Sequence, residues 1–400
     1  MISQTHDLRT VVYAGSKMLE RLSYYGFRAL LVLYMIEFLK LPNDEAFRNY
    51  TWFLRGFIFT FLLGGILGDF FLNNKRALLV GGILQAAGAF SLCIQSEFGL
   101  YLGLGLILIG NGLYTPNVFA QFGKIYSNKK NLLDAGFTIV YMAINIGAFA
   151  GPMLISRFRS INYQYGFALC GAIMLLSILL PLLITERTET NESTQSISIN
   201  KRINYMLIAI FASGIYWVAY EFYSVWTFDL EKIFDEIGIS PINIWTFLFP
   251  LIMCVGIIAA VIWTIYHYSS FVKMAFGFMF AAVAIGLILI IPEAPSAVHV
   301  KILFASFFIY AIAEILVGPI VYSIIAQYAN PRFLATMMAL ALVPFEIFRF
   351  ILQSLNILPG NDLHLTILMV IVLLSGALLF LLYWKNRDEM VNDDKSPINQ

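Results

Sequence analysis

Apolar runs of about 20 residues recur along the chain, each bounded by charged residues or by Pro-, Gly- and Asn-rich breaks. That is the length at which an α-helix crosses the hydrocarbon core of a bilayer. The runs predict twelve helices, at about 11–39, 50–72, 77–95, 99–122, 133–155, 163–184, 203–228, 243–265, 272–291, 300–327, 333–357 and 364–384. Four stretches hold no charge at all: Ala77 to Ser96, Leu100 to Phe122, Ile203 to Tyr220 and Leu365 to Trp384. The longest polar stretch, Thr185 to Arg202, falls between the sixth and seventh runs. It predicts an N-terminal six-helix bundle over 1–185, a linker over 186–202, a C-terminal six-helix bundle over 203–385 and a tail over 386–400. The fourth helix of each half carries a related pattern, Asn111 five residues before Pro116 and Glu314 five residues before Pro319, as a parallel internal repeat predicts. A proline inside a helix removes a backbone hydrogen bond and permits a bend, so Pro116 and Pro319 are candidate gating hinges.

Composition turns this pattern into a class. The 400 residues are 60% hydrophobic and 12% charged, with a mean hydropathy of +0.79, against about 25% charged in soluble domains. The expectation is an all-α polytopic membrane protein lying in a lipid bilayer. With 25 Lys+Arg against 24 Asp+Glu there is no basic surplus for a nucleic-acid backbone. Twelve spans leave no room for a soluble catalytic domain. No nucleophile, acid pair or phosphate-cradling glycine loop can be named, so an enzyme or an ATP-driven pump is not expected. Cys93, Cys170 and Cys254 all fall in apolar stretches and read as small buried hydrophobes. His6, His267, His299 and His364 are expected near membrane surfaces or in tails, without ligand spacing. No metal or organic cofactor is expected. The first apolar run is interrupted by Lys17, Glu20 and Arg21 and lacks a cleavage site, so it reads as a retained first span. Fourteen Lys and Arg fall on the side of the two tails and six on the other, which places both termini in the cytoplasm.

The charges inside the spans point to chemistry, because a charge at the bilayer centre costs about 2.5 to 3.5 kcal/mol and requires a partner or water. Lys17, Glu20, Arg21, Tyr24, Tyr25 and Arg28 recur at i, i+3, i+4, i+7, i+8 and i+11, one face of an α-helix. On the seventh span Trp217, Tyr220, Glu221, Ser224 and Phe228 share a face in the same way. Glu314 is the only charge between Lys301 and Arg332, a candidate for binding a proton or a substrate amine. The alternative for the first-span face is a helix end projecting into water with a surface ion pair, which leaves Arg28 unexplained; for Glu314 it is an interhelical ion pair that only fixes the halves together. Glu346 and Arg349, three residues apart, read as such a structural pair.

Five segments resemble the proton-dependent oligopeptide transporter family, a branch of the major facilitator superfamily, in the correct order along the chain. They are LERLSYYGFRALLVLYM (Leu19 to Met35), GGILGDFFLNNKR (Gly64 to Arg76), IGNGLYTPNV (Ile109 to Val118), VYMAINIGAFAGP (Val140 to Pro152) and AEILVGPI (Ala313 to Ile320). The resemblance implies a major facilitator fold of two six-helix bundles in a bacterial inner membrane, acting as a monomer, and proton-coupled uptake of di- or tripeptides by alternating access. It implies that Arg21, Tyr24, Tyr25 and Asn145 line a central site, where Lys17 is expected to help Arg21 attract the substrate carboxylate, and that Glu314 takes the peptide amino group. Glu20 and Glu314 would respond to protons, Arg28 and Glu221 would pair on the outer side, and Asp69 with Lys75 and Arg76 would latch the cytoplasmic side. Two positions depart from the family. Lys17 stands where its first-span motif has a Glu, and Thr115 where its fourth span has a Lys. A cation has moved from the fourth helix to the first, and Lys17 is expected to partner Glu20 in place of the missing Lys. The set Lys17, Glu20, Arg21 and Thr115 sums to +1, which favours an anionic group on the substrate. A carrier or exporter of another carboxylate-bearing metabolite, without proton coupling, is the alternative. A non-transporting receptor on the same fold is a further one.

Overall fold

The computed structural model describes residues 5–184, 198–231, 241–291, 296–354 and 363–393. Among the described residues there are twelve helices of 18 residues or more and no strand. They are α1 (Leu8–Leu33), α2 (Asn43–Leu67), α3 (Asn74–Ser91), α4 (Glu97–Ile125), α5 (Leu133–Ile155), α6 (Tyr163–Leu182), α7 (Ile199–Glu231), α8 (Pro241–Ile265), α9 (Ser270–Ile288), α10 (Ala297–Tyr328), α11 (Leu334–Ser354) and α12 (Leu363–Asp393). Each coincides with one of the twelve apolar runs. Among the described residues nine helices are long and apolar enough to cross a membrane. α1 is set apart by the four charges between Lys17 and Arg28.

The ends differ from the apolar pattern where polar residues favour a helix. α2 starts at Asn43, before its apolar run, with Asp44 and Glu45 in the first turn where the helix dipole favours negative charge. α12 continues through the polar Lys385 to Asp393, a segment without Pro or Gly. Of the expected linker, 186–197 lies outside the described residues, as does 394–400 of the expected tail. α1 and α2 both end in a π-helical turn, Tyr34–Phe38 and Gly68–Leu72. Asn73 then turns the chain with φ +68°, and its side chain caps α3 by accepting from the Lys75 amide at 3.2 Å.

The chain forms two compact units. One comprises Met1–Ile210 with Tyr322–Phe350, the other Phe211–Val321 with Ile351–Gln400. In the first unit helices approach at glycines, as small residues permit in membranes. α4 is held from two sides. A Cβ at Gly64 of α2 would come 2.0 Å from the Gly112 carbonyl oxygen, and one at Gly81 of α3 would come 2.6 Å from that of Gly110. α1 meets α5 at Gly147, where a Cβ would lie 2.2 Å from the Met18 carbonyl oxygen. In the second unit α9 packs on α12 through Phe271 and Phe278 against Phe380, with ring centroids 6.1 and 5.5 Å apart. Cys170 is buried, whereas Cys254 is exposed at the apolar surface of α8. His299 is fully buried near the start of α10.

Candidate functional site

The face of α1 predicted from spacing is an ionic cluster. Lys17 Nζ lies 2.8 Å from Glu20 Oε2, one helical turn on. Arg21 grips the same carboxylate bidentately, Nε to Oε2 at 2.6 Å and Nη2 to Oε1 at 2.5 Å. Neighbouring positions on a helix point about 100° apart, so this i, i+1 contact depends on the reach of both side chains. Lys17 and Glu20 are 1% and 0% exposed, Arg21 14% at its side chain. Buried charges of this kind are stable only when paired and hydrogen-bonded.

α4 completes the cluster. Lys17 Nζ also donates to Thr115 Oγ1 at 3.0 Å, Thr115 donates to Asn111 Oδ1 at 2.8 Å, and Asn111 Nδ2 donates to Glu20 Oε1 at 3.1 Å. The four side chains close a ring of hydrogen bonds. Asn111 reaches Gln85 Oε1 of α3 at 3.3 Å as well. The ammonium sits 5.3 and 5.4 Å from the ring centroids of Tyr114 and Phe119. It therefore rests directly on Thr115, the position where the resembled family carries its fourth-span cation. Tyr114 is itself fixed by its hydroxyl, 2.7 Å from Ser16 Oγ.

Further along α1, the Arg21 guanidinium lies 4.6 Å from the Tyr24 ring centroid and 6.0 Å from that of Tyr25. Arg28 lies 5.5 Å from the rings of Tyr24, Tyr25 and Tyr50 and donates from Nε to the Tyr50 hydroxyl at 2.9 Å. Arginine above aromatic faces is a favourable contact, stronger where water is excluded. Asn145 is half-buried on α5, two residues before Gly147, which packs against the Arg21 Cβ.

Asp69 stands elsewhere in the unit, in the π-helical turn that ends α2. Its Oδ1 accepts from Asn74 Nδ2 at 2.9 Å and the Ala335 amide at 3.2 Å; its Oδ2 accepts from the Thr336 amide at 2.7 Å and the Thr336 hydroxyl at 2.8 Å. The carboxylate caps the first turn of α11, where amides have no partner of their own and the helix dipole favours an anion. Lys75, expected to assist Asp69, instead donates to the Ile184 carbonyl at 2.6 Å, and Arg76 is exposed. Asp134, at the start of α5, accepts from the Ser323 hydroxyl of α10. Inside α4, Pro116 donates no hydrogen bond, and the Asn117 side-chain Nδ2 donates to the Leu113 carbonyl at 2.7 Å and to that of Gly64 at 2.8 Å. Pro319 lies within α10.

Glu221 and Glu314 belong to the second unit. Glu314 is half-buried on α10, one turn beyond Tyr310. The Tyr310 ring stacks on Tyr223 at 4.3 Å and stands 5.7 Å from both Tyr216 and Tyr220. Tyr223 donates to Ser306 at 2.9 Å, which donates to the Ala284 carbonyl at 2.7 Å, so this aromatic wall is fixed in place. Glu221 is half-buried on α7, one residue after Tyr220. Among the described residues no three His, Cys, Asp or Glu side chains gather as they would to hold a metal ion.

A family model described as "Major Facilitator Superfamily" matches residues 14–352. Among curated proteins, the chain is 35% identical over 165 residues to "Dipeptide and tripeptide permease A" of Chromobacterium violaceum, covering 40% of this chain and 33% of that protein. It is 33% identical over 174 residues to "Peptide transporter YePEPT" of Yersinia enterocolitica, covering 41% and 34%. The matched stretch thus spans about a third of the length of these relatives. Among solved structures, a peptide transporter POT in complex with sulfate aligns with TM-score 0.61 at 22% identity over 96% of each chain. A POT family transporter in complex with 5-aminolevulinic acid aligns with TM-score 0.56 at 20% identity over 94% of this chain and 96% of the other. The names of these relatives agree with the resemblance drawn from the five sequence segments. With twelve helices in the order the fold requires and a family model matched across most of its length, the chain belongs to the Major Facilitator Superfamily.

Proposed function

We propose that this protein is a secondary transporter that carries di- and tripeptides, or small molecules resembling them, across a bacterial inner membrane together with protons, by alternating access. The observation that carries this reading is the buried cluster of Lys17, Glu20 and Arg21. It has two cations against one carboxylate, on the face of α1 that presents Tyr24 and Tyr25 beside it. A net positive charge held away from water attracts a substrate carboxylate. Arg21, the most exposed of the three, is its receptor, with Lys17, Tyr24, Tyr25 and Asn145 around it. Glu314, a carboxylate beside an aromatic wall, takes the substrate amine and exchanges a proton with it. Asp69 on α11 is a latch that releases when that end opens, Pro116 and Pro319 let α4 and α10 bend, and Arg28 and Glu221 serve the other gate. The membrane potential supplies about 2.3 kcal/mol per charge per 100 mV, so one proton per substrate suffices to drive accumulation.

The relatives named as dipeptide and tripeptide permeases support the substrate class. A second reading, transport of another carboxylate-bearing metabolite, is favoured by the +1 sum of the cluster and by the structural neighbour holding 5-aminolevulinic acid. Uptake of radiolabelled dialanine and trialanine into proteoliposomes, with and without an imposed pH gradient, separates the two. Gradient-dependent uptake that disappears in Glu314→Gln supports the first. Absence of peptide uptake alongside gradient-independent flux of 5-aminolevulinic acid overturns it in favour of the second.

A further inference from the structure

The Glu20 carboxylate has no vacancy for a proton. A carboxylate offers about four lone-pair positions, and here each oxygen accepts two N–H groups: Oε2 from Lys17 and Arg21 Nε, Oε1 from Arg21 Nη2 and Asn111. Protonating it would displace one of these donors and put an O–H where an N–H now points. The nearby side-chain oxygens of Thr115, Asn111 and Gln85 each already accept one bond, from partners within the same network. Neither the guanidinium of Arg21 nor the amide of Asn111 gives up a proton in a protein.

Lys17 differs. Two of its three N–H bonds are committed, to Glu20 and to Thr115. The aromatic faces of Tyr114 and Phe119 surround the remainder of the ammonium at 5.3 and 5.4 Å. A neutral amine retains two N–H bonds, so the ring through Thr115, Asn111 and Glu20 survives loss of the third proton. That loss also takes the cluster from +1 to zero, and a buried net charge is what a low-polarity environment resists most. The charged groups acting on Lys17 are Arg21 and Glu20 of its own helix; α4 presents the phenol of Tyr114, and Tyr322 of α10 stacks behind Phe119 at 4.6 Å.

We infer that the amine of Lys17, and not the carboxylate of Glu20, is the group of this cluster that exchanges a proton during the transport cycle. The inference rests on the transport reading above only for its consequence, not for the assignment. When this face of α1 is wetted from one side, an Nζ–H bond breaks, its electron pair stays on nitrogen and the proton passes to water as hydronium. From the other side hydronium returns a proton to the same lone pair. Glu20 remains an anion throughout and holds Arg21 in place for the substrate.

The assignment is tested on the purified protein by nuclear magnetic resonance, with lysine labelled at Cε and glutamate at the carboxyl carbon, titrated from about pH 5 to about pH 9. The expected result is one lysine signal that titrates in this range and vanishes in Lys17→Arg, with no titrating carboxyl signal assignable to Glu20. A Glu20 signal that titrates while Lys17 stays charged overturns the assignment. If Lys17→Arg does not fold, Thr115→Val, which removes one acceptor from the ammonium, displaces the Lys17 signal and identifies it. Dialanine accumulation under a one-unit pH gradient then tests the consequence. Lys17→Arg lowers it by up to about tenfold, the ratio one proton sustains across one unit. A titrating Lys17 in a protein that accumulates no peptide would sink the peptide reading and leave the assignment standing.

Discussion

Two carboxylates in the first unit each accept four hydrogen bonds, two per oxygen, yet they are held by opposite means. Glu20 is bound by Lys17, Arg21 and Asn111, so three of its four donors come from cations on its own helix. Asp69 is bound by neutral groups, two of them backbone amides at the start of α11, more than 260 positions away along the chain. The difference teaches how one protein uses the same chemistry twice. A pair closed within one helix is indifferent to how helices slide, so Glu20 keeps Lys17 and Arg21 whatever α1 does, and only its bond from Asn111 depends on α4. A carboxylate seated on another helix's terminus must give up its bonds when the two separate, and its neutral partners make that separation affordable.

The comparison breaks most sharply at Glu20. Glu20→Ala leaves two cations buried with no counter-ion, a loss of about 3–5 kcal/mol, read as failed membrane insertion or a collapse of thermal stability in detergent. An unchanged unfolding temperature would show that water already reaches the cluster. Asp69→Ala removes a cap and not a charge pair, and lowers stability by about 1–2 kcal/mol. Its larger signature is conformational: a cysteine placed at Ala335 becomes more reactive toward a membrane-impermeant maleimide, and unaltered reactivity would remove Asp69 from the gate. Thr336→Val, which deletes only the hydroxyl donor, costs about 1 kcal/mol and gives a smaller shift in the same labelling assay. Thr115→Val has a comparably small expected effect, about 0.5–1.5 kcal/mol, because Lys17 keeps Glu20 as its partner. A loss as large as that of Glu20→Ala would mean that α4, and not α1, holds the ammonium.

The twelve helices were legible because each is one apolar run, and the 3.6-residue period alone placed Lys17, Glu20 and Arg21 on one face. Legible too was the neighbourhood of Lys17 and Thr115, once both positions stood out against the motif they depart from. What lay beyond the sequence was any bond between helices far apart in the chain. Periodicity says nothing of Asp69 meeting Thr336, of Ser323 meeting Asp134, or of the Tyr50 hydroxyl meeting Arg28. Gln85 had a readable signal, an amide in the middle of the apolar run GGILQAAGAF, which a search for charges passes over. The π-helical turns that end α1 and α2 left no mark, since their register follows from packing and not from composition.

The glycines that clasp α4 bear on how such a protein acquires a new substrate. With the Gly112 carbonyl against Gly64 and the Gly110 carbonyl against Gly81, α4 has little room to slide or turn against α2 and α3 at these contacts. Asn111 and Thr115 therefore occupy fixed addresses, and a change of selectivity cannot come from moving the helix that carries them. It has to arrive by exchanging side chains at those addresses or by reaching them from a neighbour. Under the proposed transport reading, Lys17 is an instance of the second route: the scaffold stays still while the charge changes its point of attachment. An engineer seeking a different cargo would do the same, editing positions 17 and 115 together and leaving the glycines alone.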